Sequence, residues 1–137
     1  MINIKIIVDN RCVTSELKES NGLSIYLEHD NTYLLFDLGS SNKVFQHNVE
    51  ATGIDLGIID GVVISHEHSN HVGGIPYVGW ESPFSTIYIP YGSMDSIGRV
   101  ARSNSLKPVE VIDWVNPWKN IYISKPFHGP PYEHFLI

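Results

Sequence analysis

A chain of 137 residues with 42% apolar and 11% aromatic content is long enough for one domain that buries roughly 68–70% of its unfolded surface. Nine basic against fifteen acidic residues give a formal charge of −6, and no basic face of the kind that passive nucleic-acid binding needs is visible in the sequence, so no nucleic-acid partner is expected. No apolar run approaches the roughly 20 residues that cross a bilayer, so no membrane partner is expected.

The opening Met1-Ile2-Asn3-Ile4-Lys5-Ile6-Ile7-Val8 lacks the basic head and cleavage site of a secretory signal. It predicts a first strand and a cytoplasmic protein. Cys12, the sole cysteine, excludes an internal disulfide and is expected as a small, semi-buried residue just beyond that strand. A polar stretch over residues 9–20 leads to the turn Asn21-Gly22 and the alternating run Leu23-Ser24-Ile25-Tyr26-Leu27, which predicts a half-buried strand. His29-Asp30-Asn31 marks a turn, with His29 exposed at its tip, and Tyr33-Leu34-Leu35-Phe36 returns as the second arm of a hairpin.

Asp37-Leu38-Gly39-Ser40-Ser41 ends that arm, and Ser40 or Ser41 can cap a helix with Val44, Phe45 and Val49 on one side. Gly53 closes this helix, and His47 within it is expected at the surface. Residues 61–65, Gly-Val-Val-Ile-Ser, are apolar throughout up to the final serine, the pattern of a strand buried on both faces of a layered α/β sheet. Beyond the histidine-rich loop, Gly73-Gly74 and residues 75–84, rich in proline and aromatics, are expected as a connection. Residues 86–90 predict a strand, and 92–105 a helix with Met94, Ile97, Val100 and Ala101 on a core stripe. Arg99 and Arg102, with Lys107 nearby, are expected as a solvated helix face. Strands over 109–112 and 120–123 follow, split by the 114–118 segment, and residues 133–137 resemble a strand that has just begun. No repeat or linker divides residues 1–137, so a single domain is expected.

The chemistry concentrates in His66-Glu67-His68-Ser69-Asn70-His71, directly after the buried strand. Imidazole is the commonest protein ligand for zinc and related ions, and three in one short loop can converge on a point. His66 and His68, two apart in an extended segment, project the same way, whereas alternation turns Glu67 outward. The alternative is a polar surface loop that happens to be rich in histidine.

His66-x-His68-x-Asn70-His71 after a buried strand resembles the His-x-His-x-Asp-His signature of the metallo-β-lactamase superfamily, and Asp37-Leu38-Gly39 resembles the Asp-Thr-Gly turn that precedes it. The opening strand, Asn10 and Gly22-Leu23-Ser24 resemble the archaeal and thermophilic bacterial branch, whose names include pterin-type synthases and general metal-dependent hydrolases. The resemblance implies an α/β fold: the first half of an αββα sandwich, a mixed sheet with helices on one face. It implies His66, His68 and His71 as metal ligands, with one or two zinc ions, or iron or manganese. Asp37 would accept an imidazole N–H, and Asp37 and Asn70 are the candidate catalytic positions.

Two departures qualify that implication. Asn70 stands where the family has an aspartate, and an amide oxygen is a poorer ligand that accepts no proton near neutral pH. The family's remaining ligands come from a second half that residues 1–137 do not match, and neither His128 nor His134 maps onto them. His128, in the loop Phe127-His128-Gly129-Pro130-Pro131, is weighed as a residue that approaches the site. An apolar last strand leaves a sheet edge and a core face to be covered, so a homo-oligomer or a complementing second-half subunit is the expected partner. The expected function is metal-dependent hydrolysis of a small-molecule substrate once the site is completed. The alternatives are a non-catalytic binding or assembly module and a fragment of a longer hydrolase.

Overall fold

The alternating apolar runs pair into one sheet because each has an apolar face to bury. In the computed structural model, which describes residues 1–11 and 14–127, that sheet has six strands in the order β1-β2-β3-β4-β5-β6. They are β1 Ile2–Val8, β2 Ser24–His29, β3 Thr32–Phe36, β4 Gly61–Val63, β5 Thr86–Pro90 and β6 Lys107–Val111. The first three pair antiparallel, and β3 to β6 run parallel, so the sheet is mixed as expected. Asp30 and Asn31 turn the β2–β3 hairpin at φ 47° and 63°, the left-handed pair that a tight two-residue hairpin needs. His29 closes β2 and is half-buried, not exposed as expected. Its ring stands 3.5 Å from the Met1 carbonyl and 3.4 Å from Asp30.

The three helices lie on one face. Helix α1, Asn42–Thr52, begins where Ser41 Oγ accepts the Val44 N–H at 3.2 Å and ends on Gly53 at φ 70°. Helix α2 spans Ile75–Glu81, where the sequence led us to expect a connection. Proline near position 76 does not prevent it, because a first-turn N–H has no intrahelical partner to lose. The expected long helix over 92–105 is instead a π-helical turn, Met94–Gly98, followed by the short α3, Arg99–Ser103. The wider turn shifts the periodicity, so Ile97 and Ala101 are buried while Val100 faces solvent.

Phe45 and Val49 of α1, Ile75 and Val78 of α2, and Ile97 and Ala101 pack on Leu35, Val62, Ile64, Ile87 and Ile89 of the sheet. The opposite face carries the rows that include Phe36, Val63 and Tyr88. A hairpin of β7 Val115–Trp118 and β8 Ile121–Ile123 covers part of it. Ile123 packs on Val63 and Val111, and the Trp118 ring meets Tyr88 edge-on at 5.4 Å between centroids. Residues 114–118 were thus expected as a spacer, but four of them pair as a strand. On the same face, β1 brings Ile2, Ile4 and Ile6 into register with His29, Leu27 and Ile25, and these three isoleucines are each more than half exposed.

Among the described residues no helix is long and apolar enough to cross a membrane. Cys12, His128, His134 and the expected strand at 133–137 lie outside the described residues. Gly79 lets α2 meet α3, since a Cβ there would stand 1.9 Å from the Asn104 carbonyl oxygen. Gly79→Ala is therefore expected to lower stability by about 1–3 kcal/mol through overpacking, read as a lower urea midpoint at unchanged m-value.

Candidate metal centre

The parallel strands end on one edge of the sheet, and the chain's polar side chains gather there. Asp37 follows β3 directly and adopts φ 57°, a left-handed conformation that aspartate tolerates better than most residues. Its N–H donates to the Val63 carbonyl at 2.9 Å, which fastens the turn to the end of β4. The histidine loop is laid across this turn by three backbone bonds. Leu38 N–H donates to His71 O at 2.8 Å, Gly73 N–H to Gly39 O at 2.7 Å, and Gly74 N–H to Leu38 O at 3.0 Å. Gly73 and Gly74 permit that approach, since a Cβ on Gly73 would stand 2.3 Å from the Ser40 carbonyl carbon and one on Gly74 2.5 Å from the Phe45 ring.

Asp37 is 1% exposed, so its carboxylate depends on protein donors for solvation. It has three. Ser65 N–H donates to Oδ1 at 2.7 Å, Ser65 Oγ to Oδ2 at 2.6 Å, and His71 Nδ1–H to Oδ2 at 2.7 Å. Ser65 Oγ also lies 2.7 Å from His66 Nδ1. A hydroxyl has a single hydrogen, and that of Ser65 is committed to Asp37. His66 Nδ1 must therefore be the donor in the second contact. Both rings then donate from Nδ1, which leaves Nε2 as the nitrogen through which a neutral imidazole binds a metal.

The rings of His66 and His71 are 4.1 Å apart between centroids, and those of His66 and His68 are 4.7 Å apart. Asp37, His66 and His71 each offer a ligand atom within 4.8 Å of the others. Asp37 has little capacity left after three accepted bonds, so its part is to orient the imidazoles. The donor set, two imidazoles with one buried carboxylate behind them, fits a divalent ion such as zinc. His68 stands outside the 4.8 Å group, half a turn along, with its ring exposed against His66. Asn70 is half-buried in the 3-10 turn Ser69–His71, and Gly22 packs so closely on it that a Cβ there would lie 1.7 Å from its carbonyl oxygen. Glu67 points outward as expected, where its Oε2 accepts Ser96 Oγ–H at 2.7 Å and ties the π-helical turn to the histidine loop.

Ser65 was not singled out from the sequence. The only signal was a lone hydroxyl at the end of an otherwise apolar strand, just before the first histidine. Asn48 was missed as well. It is fully buried, and its amide donates to Ile7 O and Lys18 O and accepts Lys18 N–H, each at 2.8 Å, which pins the stretch before Gly22 against the site.

The architecture is that of metallo-β-lactamase fold proteins. The fold protein YhfI of Bacillus subtilis superposes with a TM-score of 0.73 at 13% identity, over 99% of this chain and 57% of its own. A diphosphatase of the PhnP family gives 0.67 at 16% identity, over 85% of this chain and 48% of its own. Within that class, the chain belongs to the family described as Anti-Pycsar protein Apyc1, which it matches over residues 12–92. A ribonuclease Z of Macrococcus caseolyticus is 31% identical over 93 residues, which are 61% of this chain and 29% of that protein. The chain thus spans less than a third of this curated relative.

Replacing Ser65 with alanine removes a donor from Asp37 and the acceptor of His66 Nδ1–H. Zinc affinity, measured by competition with a chromophoric chelator, is expected to fall about 10–100-fold with the far-UV spectrum unchanged. Ser65→Thr keeps the hydroxyl and should restore most of it.

Proposed function

We propose that this chain is the metal-holding part of a hydrolase that cleaves phosphodiester or phosphoanhydride bonds. The observation that carries the reading is the convergence of Asp37, His66 and His71, whose ligand atoms lie within 4.8 Å of one another, with both rings held by the Ser65–Asp37 relay. Relatives named ribonuclease Z and diphosphatase support the bond type. A bound zinc, or iron or manganese, supplies a water acidic enough to attack near neutral pH and polarises the phosphoryl oxygen. His66, His68 and His71 are the proposed ligands. Ser65 and Asp37 hold the proton on Nδ1 of their partner rings, so that neither ring can turn away. The sequence expectation of no nucleic-acid partner rested on net charge, and a substrate held through its phosphate at a metal does not need a basic face. A cytoplasmic setting suits the single cysteine.

The reading includes a missing contribution. The chain corresponds to 57% of one solved relative and 29% of a curated one, and Ile2, Ile4 and Ile6 form an exposed row that no other described element covers. A second copy or a separate second-half subunit, docked over that row, is the proposed source of further ligands. Asn70 favours a second reading, a binding or assembly module without turnover, because the amide cannot accept a proton from water.

Native mass spectrometry with elemental analysis tests the first reading. Bound zinc, iron or manganese is expected in an assembly larger than one chain, with hydrolysis of bis(4-nitrophenyl) phosphate that His66→Ala reduces to background. A protein that takes up none of these metals would overturn it. Asn70→Asp separates the two readings. A gain in bound metal and in turnover is expected where the other ligands are supplied in trans, and no change in either supports the module.

A further inference from the structure

The solvent face of α2 and α3, remote from the histidines, carries an arrangement that the proposed chemistry does not use. Trp80 on α2 is 83% exposed, and Phe84, in the turn that leads into β5, is 69% exposed. Phe84 also adopts φ 68°, a costly conformation for a bulky residue, and burial of its ring does nothing to offset that cost. Its N–H donates to Ser105 O at 2.7 Å, while Lys107 N–H donates to Ser85 O at 2.9 Å, so the ring is presented outward beside the start of β6. Lys107 Nζ lies over that ring, 6.0 Å from its centroid. Gly79 abuts the Asn104 carbonyl, which places Trp80 on the part of α2 that meets the end of α3.

Arg99 and Arg102 are exposed on α3, and among the described residues neither they nor Lys107 form an ion pair with a carboxylate. Residues 96–109 contain no acidic side chain. Helix α2 carries one acid, Glu81, so three cations stand against one carboxylate on this side of the molecule. A chain of net charge −6 thus keeps one locally basic face, and two exposed aromatic rings sit on it.

We propose that this α2–α3 face binds single-stranded nucleic acid, with bases stacked on Trp80 and Phe84 and phosphates met by Arg99, Arg102 and Lys107. Aromatic faces flanked by unpaired cations suit a flexible polyanion that exposes its bases. A second copy docked through a two-fold axis would set the basic patch against itself, and like charges oppose that. Phe84 and Lys107 lie at the amino ends of β5 and β6, about one strand length, roughly 17 Å, from the histidines at the carboxyl ends of β3 and β4, and Arg99 directly follows the π-helical turn that reaches the histidine loop. The proposal deepens the phosphodiesterase reading, on which its purpose rests. The face would hold a strand whose continuation reaches the histidines.

The test is fluorescence anisotropy of labelled oligouridylate and oligothymidylate, about twelve nucleotides long, titrated with the full chain in EDTA so that neither metal nor turnover contributes. Affinity is expected to fall at least about five-fold in Trp80→Ala and in Phe84→Gly, which relieves the backbone. It should also fall in Arg102→Gln/Lys107→Gln, together with a shallower salt dependence. Trp80→Phe, which retains a ring, should keep most of the affinity. Metal-loaded Trp80→Ala should hydrolyse bis(4-nitrophenyl) phosphate like the parent. Unchanged oligonucleotide affinity in Trp80→Ala and in the double variant would overturn the proposal. So would self-association that Trp80→Ala abolishes in a protein that binds no oligonucleotide, since the face would then belong to a second copy. Oligonucleotide binding that persists in a protein without metal uptake or hydrolysis supports the face and removes the hydrolase reading alone.

Discussion

The buried carboxylate of Asp37 is where the sheet and the site depend on each other. A charge held out of water is tolerated only when donors surround it, and here the donors come from two separate pieces of chain, the end of β4 and the histidine loop. The same residue joins the backbone of β3 to β4 through Val63. Loss of the Ser65 hydroxyl leaves part of the charge unsolvated and removes the partner of the His66 ring at once. Backbone geometry narrows the choice further. At φ 57° the position excludes β-branched and bulky residues, and of the residues that accept such a conformation readily, only aspartate carries the charge.

The rest of the fold serves that edge unequally. Helices α1 to α3 seal one face of the sheet with a continuous core, while on the other face the hairpin packs with a smaller cluster from Phe36, Val63, Tyr88 and Val111. The antiparallel end, built on β1, has apolar residues in register on a face that no helix or hairpin covers among the described residues. Nothing in the local chemistry of β1 requires that; a polar residue at Ile4 would pair with Leu27 as well. The apolar choice has a physical meaning only if something apolar meets it.

Local signals made much of this legible in advance. Strand β5 falls on residues 86–90 as expected because five residues of β-forming pattern lie between turn residues, and α1 is bounded by Ser41 and Gly53, which cap by their own chemistry. The histidine loop was legible because its spacing is itself the chemistry. What escaped was set by distant contacts. Helix α2 is short and carries a proline and a glycine, and it exists because Gly74 and Gly79 let it settle against Phe45 and α3. Strand β7 needs β8 for its bonds and Tyr88 for its tryptophan. Val100 left the core stripe because one wide turn shifted the count, which no periodicity reveals. Ser65 was hidden by its company, since its hydroxyl acquires meaning only beside Asp37 and His66.

The π-helical turn has an implication for how this edge tolerates change in length. A π turn holds one more residue than an α turn, and Ser96 reaches Glu67 from within it. Deleting a residue there would let the segment relax into a regular α turn with one residue fewer, and positions beyond the deletion would keep nearly the same face. Ala101 would stay in the core, and the contact that moves is the one between Ser96 and Glu67. A deletion in the wide turn therefore costs the tie to the histidine loop and leaves the packing of α3 in place. The segment after β5 can shorten by one residue without turning its core face away from the sheet.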